Sequence, residues 1–250
     1  YGPSSFGTLT QKRDGERSVR ITGEVVPGLG ETFVYMSWGL SPSDLSNWTL
    51  LGTYTKDTPS KAISSLQTLD VRGMAYVCVV ASNEWKGTSW ISCSATNSYL
   101  LGTWLPAHVQ TANGSTKTYA VHDGDALTWI EEAGSDPCTF DLGSPHKLAG
   151  ATFQMRSDGN GDKSWSRTFS VLTSLDGVTY QQAWSNETAV IPEKGVMTDM
   201  PFPADWPLAR YVRFTHANAK STTSQPAELM VVGHHLRDEM AVVVDDGHLL

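Results

Sequence analysis

The sequence predicts an all-β protein built as two sandwich domains in series, and three observations predict it. Apolar and polar residues alternate over short runs such as "SVRITGEVV" (18–26) and "RYVRFT" (210–215), the period of half-buried strands. Twenty-two Gly and twelve Pro punctuate the chain every few residues, as turns between strands do. Charge then divides the chain. Residues 1–103 hold eight basic and eight acidic side chains, while 104–250 hold ten and eighteen, so the whole net charge of −8 lies in the second half. A boundary near residue 103 follows. "LGTWLPAHVQTANGSTKT" (101–118), rich in small polar residues and carrying Pro106, reads as a linker or domain entry.

In the first half the strands read in order as 18–26, "TFVYMSWGL" (32–40), "WTLLGTYT" (48–55) and "KAISSLQTL" (61–69). "AYVCVVAS" (75–82) and "TSWISCSA" (88–95) then form a hairpin across "NEWKG". With Glu84–Gly87 as its loop, Asn83 faces Thr88, Val80 faces Ile91 and Cys78 faces Cys93. Trp38, the Leu69 and Tyr76 pair and the "ASN…G" turn give residues 17–103 a resemblance to the fibronectin type III-like sandwich, within the immunoglobulin-like class. That resemblance implies core and turns without chemistry, hence a spacer or protein-contact module.

The second half carries ordered motifs. "DG…TW" (123–129), "DLG-x-P" (141–145), "S-x-DG-x-x-Y" (174–180), "ARYVR" (209–213) and "AE-x-x-V-x-G" (227–233) follow one another. Their order and spacing resemble the discoidin domain, also called the coagulation factor 5/8 type C domain, whose galactose-binding-like fold is shared by family 32 carbohydrate-binding modules. The resemblance covers 104–233 and implies an eight-stranded jelly roll with binding loops at one end. Residues 234–250 then read as a C-terminal tail, and "GHHLRDE" (233–239) as part of it. Asp176-Gly177 supplies a turn.

"YAVHDGDALTW" (119–129) is by itself a polar turn or a calcium loop. The resemblance implies the second: a structural Ca2+ held by Asp123, Asp125, Thr128 and the Ala120 carbonyl, with the Ala227 carbonyl and the Glu228 carboxylate from "PAE". Three carboxylates brought together repel unless a cation joins them. The resemblance also implies a sugar site at Arg156, Asn160 and Trp165, the arginine closing "FQMR" and the others on the polar loop "SDGNGDKSW"; the residues alone leave open a local carboxylate partner for Arg156 and a core place for Trp165. Two features depart from a galactose-type pocket: Ile130, Glu131 and Glu132 stand where a histidine is frequent, and "HANAKSTTSQ" (216–225) lacks an aromatic ring. An EF-hand on Asp158, Asn160 and Asp162 is excluded by Lys163 and Phe169 at its sixth and twelfth positions.

No nucleophile, zinc or phosphate-loop motif occurs, so no catalytic residue is expected. The acidic balance excludes nucleic acid as partner, and no apolar run is long enough to insert in a membrane. The function expected is a non-catalytic glycan-binding module of an extracellular protein, whether secreted, periplasmic or at the cell surface. A protein-recognition or adhesion module and an accessory fragment of a larger glycoside hydrolase are the alternatives. Sequons begin at Asn47, Asn113 and Asn186. Three cysteines do not make a disulfide scaffold; the hairpin register leaves open a Cys78–Cys93 bond or two reduced thiols, with Cys138 a small buried hydrophobe.

Overall fold

A computed structural model describes residues 3–55, 59–111, 132–133, 138–157, 168–186, 195–217, 223–224 and 226–235. The chain divides into two compact units, Tyr1–Leu101 and Gly102–Leu250. All regular elements among the described residues are strands.

The first unit contains β1 (Ser5–Arg13), β2 (Ser18–Val26), β3 (Thr32–Gly39), β4 (Asn47–Tyr54), β5 (Lys61–Thr68), β6 (Gly73–Trp85), β7 (Thr88–Cys93) and β8 (Asn97–Leu101). Three of them form a sheet in the order β1-β2-β5. The other sheet runs β4-β3-β6-β7, and β8 pairs with the start of β6. Alternation explains the packing. Val19 and Ile21 on β2, Val34 and Met36 on β3, and Val77 and Val79 on β6 all enter one core, so the two sheets bury their apolar faces against each other.

Several expectations change here. The unit starts before residue 17, because β1 pairs along β2 from Ser5↔Val26 to Arg13↔Val19. Leu69 lies in the core, whereas the core position near Tyr76 is taken by Ala75 and Tyr76 is half-buried. The hairpin register also moves by two residues. Its loop is Lys86-Gly87, with φ of 49° and 76°, and Trp85 faces Thr88 across it. Two positive φ values are the signature of a type I′ turn, whose twist matches that of the strands. Val80 therefore faces Cys93, and Cys78 is only its diagonal neighbour, at a spacing of about 7–8 Å that a disulfide does not span. All three cysteines are free thiols.

The second unit contains β9 (Thr103–Trp104), β10 (His108–Thr111), β11 (Glu132–Ala133), β12 (Cys138–Met155), β13 (Thr168–Ser174), β14 (Gln181–Ser185), β15 (Met197–Pro201), β16 (Leu208–Ala217), β17 (Thr223–Ser224) and β18 (Pro226–His235). The 18-residue strand β12 organises them. Its first residues, Cys138–Asp141, lie between β10 and β16. Its later residues, Gly150–Gln154, lie between β15 and β18. One strand thus serves both layers, β14-β13-β16-β12-β10 on one side and β15-β12-β18-β9 on the other. On one edge β16 gives way to β15 after Lys147, and on the other the partner changes from β10 to β18 across the irregularity between Asp141 and His146. Gly143 there has φ 77°, a conformation glycine adopts without strain. Phe140 meets Phe214 on the neighbouring strand at 5.1 Å, and Phe153 meets Phe169 of the other layer at 4.6 Å, with Cys138, Val212 and Val231 in the same core.

The segment read as a linker from 101 to 118 supplies two edge strands of this unit: Trp104 pairs with Val232, and β10 pairs with β12. A polar edge strand gives open backbone groups a partner without adding apolar surface. The tail expected from 234 also starts later. His234 and His235 continue β18 opposite Lys147 and His146, and His234 is buried with its ring 5.2 Å from that of Trp206.

The free thiols generate a prediction. Cys93 is exposed and Cys78 and Cys138 are buried, and burial holds the Cys78 thiol above its ordinary pKa, with the neighbouring Cys93 adding to the rise. Alkylation of the native chain is expected to label Cys93 alone, and all three cysteines after unfolding. Recovery of a Cys78–Cys93 peptide under non-reducing digestion would contradict this register.

Candidate functional site

The candidate end of the second unit is set by antiparallel pairing. Because β12 and β18 run in opposite directions, the end of one meets the start of the other: Gln154 faces Glu228 and Met155 faces Pro226. Arg156 follows directly. Both charged side chains are withdrawn from water, Arg156 at 4% exposure and Glu228 at 0%. Charges buried this deeply must be compensated by partners, since desolvation otherwise costs several kcal/mol per ion. The strand end is fixed by the neighbouring segment: the Gly195 N–H donates to the Met155 carbonyl at 3.2 Å, and the Gln154 amide donates to the Gly195 carbonyl at 2.6 Å.

The structure brings Arg156, Ala227 and Glu228 to this one end. The remaining expected ligands (Ala120, Asp123, Asp125, Thr128, Asn160 and Trp165) lie outside the described residues. One pairing reaches toward them. Glu132 of β11 faces Ser224 of β17, so the chain four residues after Thr128 runs beside the chain four residues before Glu228. Among the described residues no three His, Cys, Asp or Glu side chains are grouped to hold a metal.

The other motifs form a clamp on the sheet that includes β16. Asp141, from "DLG", accepts two hydrogen bonds from Arg210, from "ARYVR": Nε donates to Oδ1 at 2.7 Å and Nη2 to Oδ2 at 2.8 Å. The Gly143 N–H also donates to Asp141, at 2.9 Å, at the irregularity in β12. Arg213 of the same motif stacks its guanidinium 3.7 Å from the ring centroid of Tyr180, the tyrosine of "DG-x-x-Y". Asp176 closes the turn before it, accepting from the Thr179 and Val178 N–H groups and from the Ser174 hydroxyl. Three of the five motifs are therefore joined by charge and stacking, and their work is structural.

These carboxylates are held ionised. The hydrogen bond from Arg210 keeps Asp141 below the usual carboxylate pKa. The backbone N–H of Thr179, then that of Val178 and the Ser174 hydroxyl, lower Asp176 to about 2.

Among the described residues, then, the fold and its loop end define a jelly-roll sandwich with buried charge at one extremity. The model of the F5/8 type C domain family matches residues 94–229, more than half of the chain, and the chain belongs to that family. The match begins within the first unit, at Ser94 between β7 and β8. Solved structures with a similar fold include a family 32 carbohydrate-binding module from a family 31 glycoside hydrolase of Clostridium perfringens, at 18% identity and TM-score 0.44, covering 50% of this chain and 93% of that one. The family 32 module of C. perfringens NanJ in complex with galactose is similar at 16% identity and TM-score 0.41, covering 50% and 91%. A C. perfringens module in complex with GalNAc-β-1,3-galactose gives 16% identity and TM-score 0.44, covering 52% and 100%. No curated protein matches the chain.

Both lowered carboxylates bind protons less readily folded than unfolded, where the pKa is about 4. Their contribution is complete above about pH 4 and is lost as pH falls; for Asp176 the loss extends to about pH 2. Arg210→Ala is expected to lower stability slightly at pH 7, because the charge-assisted pair is screened by solvent, and not at all once Asp141 is protonated. Asp176→Asn is expected to flatten the decline in Tm between pH 4 and pH 2. A pH-independent Arg210→Ala defect would contradict the ionic clamp.

Proposed function

We propose that this chain is a non-catalytic glycan-binding module of an extracellular protein, with its sugar site at the β12–β18 end and a structural calcium ion beside it. The observation that carries the reading is the position of Arg156. It follows the last residue of the strand that organises the domain, buried where the family resemblance expects the sugar-binding arginine. A guanidinium held by its surroundings presents a fixed fork of donors to sugar hydroxyls, and Asn160 and Trp165 on the following loop complete the proposed site. The first unit, with its three-stranded sheet and its five-stranded sheet, is read as a fibronectin type III-like sandwich that carries the module.

The calcium reading rests on donor chemistry and on one strand pairing. Asp123, Asp125, Thr128, Glu228 and the carbonyls of Ala120 and Ala227 are an all-oxygen set, as Ca2+ prefers. Glu228 is fully buried, and the Glu132↔Ser224 pair joins a residue four after Thr128 to a residue four before Glu228, which supports the reading. Four extended residues reach at most about 14 Å. When bound, the ion would tie the Asp-Gly segment to the start of β18.

Two experiments test these readings. On a glycan array that includes galactose and GalNAc-β-1,3-galactose, the full chain is expected to bind, and Arg156→Ala to lose at least about tenfold in affinity. Capture of a protein partner insensitive to free sugars, with no glycan bound, would favour the adhesion reading instead. For calcium, melting in excess Ca2+ is expected to exceed melting in chelator, by about 2.7 kcal/mol of stability at a hundredfold excess over Kd. Glu228→Gln should shrink that difference, and identical curves would remove the metal.

A further inference from the structure

The sandwich of the first unit turns two unlike faces outward. On the three-stranded sheet the outward positions include Lys12, Arg20, Thr22, Glu24 and Ser64, a mostly polar face with Leu66 beside Arg20. The five-stranded sheet is different. Val34 and Met36 point into the core, so Phe33, Tyr35 and Ser37 point out. Register extends that face across four strands. Tyr35 stands between Leu50 of β4 and Val80 of β6, and Cys93 of β7 stands beyond Val80. Phe33 stands between Thr53 and Ser82, with Ile91 beyond. Ser37 stands between Trp48 and Cys78.

The aromatic rings on this face form one array. Phe33 and Tyr35 lie 6.4 Å apart with planes 25° from parallel, and Trp48 meets Tyr35 at 5.8 Å edge-on. The face is open on its flanks, where Trp48 is 55% exposed, Leu50 53% and Ile91 68%, while Ser37, Cys78 and Val80 between them are buried and Ser37 donates to the Leu45 carbonyl. Contiguous apolar surface of this kind marks interaction sites.

Size and charge select the occupant. Four strands at about 4.8 Å spacing and three cross-strand rows cover roughly 400 Å², about half of the ~800 Å² that each partner gives to a stable protein interface. No charged side chain stands in the three rows, and the half of the chain that carries them is balanced at eight basic and eight acidic side chains. A charged ligand would lose hydration there without meeting a counter-charge. A neutral sugar chain meets both conditions. Its C–H faces are apolar and suit aromatic rings, which combine an apolar face with a polar handle on tyrosine, while Thr53 and Ser82 supply hydroxyls among the rings.

We propose that the outer face of the five-stranded sheet, centred on Tyr35 and Trp48, is a second glycan-binding surface for a run of neutral sugar residues. It goes beyond the Arg156 site and uses none of its residues. Two such surfaces on one chain raise retention on a polymer through effective concentration.

The test is affinity electrophoresis of the full chain in gels containing galactan, xyloglucan or amylopectin, with polygalacturonate as the acidic control. Arg156→Ala is the starting variant, which weakens the proposed β12–β18 site, so the part of the remaining retardation that depends on Trp48 and Tyr35 is what the gels read. That variant is expected to be retarded in at least one neutral gel. Adding Trp48→Ala or Tyr35→Ala is expected to lower that affinity about tenfold, the scale of lost aromatic stacking, while Trp48→Phe, which keeps a ring and reports correct folding, retains most of it. No retardation of Arg156→Ala in any neutral gel, or retardation unchanged by Trp48→Ala, would overturn the proposal, even if the wild type binds through Arg156. A dimer in sedimentation that Trp48→Ala dissociates would also overturn it, by making a second copy the occupant.

Discussion

The second unit depends on one strand being shared by two layers. An 18-residue strand is far longer than the five or six residues usual in globular proteins, and a flat strand of that length could not lie in both sheets. β12 does so because its pairing breaks between Asp141 and His146 and because Gly143 takes a backbone conformation open to it at little cost. Asp141 anchors that place twice, to the Gly143 N–H and to Arg210 on the neighbouring strand. From there the strand runs on through Ala151 and Phe153 in the core to Arg156 at its end. Whatever holds the irregularity in place also aims the site.

The same geometry separates the family motifs from the proposed site residues. "DLG", "DG-x-x-Y" and "ARYVR" meet on the sheet that contains β13, β14 and β16, as an ion pair, a cation stacked on a ring and a capped turn. These contacts hold strands from distant parts of the chain in register. The loop end, by contrast, draws on the residues next to strand ends: Arg156 after β12, and Ala227 and Glu228 at the start of β18. Family membership follows from the scaffold, while ligand choice belongs to the loops.

Strands with clean alternation were legible in the sequence. The run 18–26 is β2 residue for residue, and 138–156 contains β12. β1 was not legible: in "SFGTLTQKR" the alternation is broken near Gly7, and the structure has a register irregularity between Phe6 and Leu9. Short polar edges such as β9 and β10 carry no periodic signal, because their pairing satisfies backbone groups and buries little side chain. The β6–β7 hairpin was recognised as such, yet its register depended on turn chemistry. A two-residue Lys86-Gly87 turn with two positive φ values moves every pair by two relative to a four-residue loop, and that separates Cys78 from Cys93. Arg156 is proposed from its position in a motif, and the structure shows that it follows β12 and is buried. The aromatic face of the first unit was missed because Phe33, Tyr35 and Trp48 look like core aromatics until the register shows which side of β3 they occupy.

The central claim is that the β12–β18 end of the second unit is where ligand is met. Hydrogen exchange of the full chain, with and without a galactose-terminated oligosaccharide at saturating concentration, reports on that end directly, because amides next to a bound ligand open less often. The account predicts slowed exchange in peptides covering Gln154–Ser157 and Pro226–Glu228, with the Asp141–Gly143 irregularity unchanged. Binding of the oligosaccharide without slowed exchange in either peptide would contradict it.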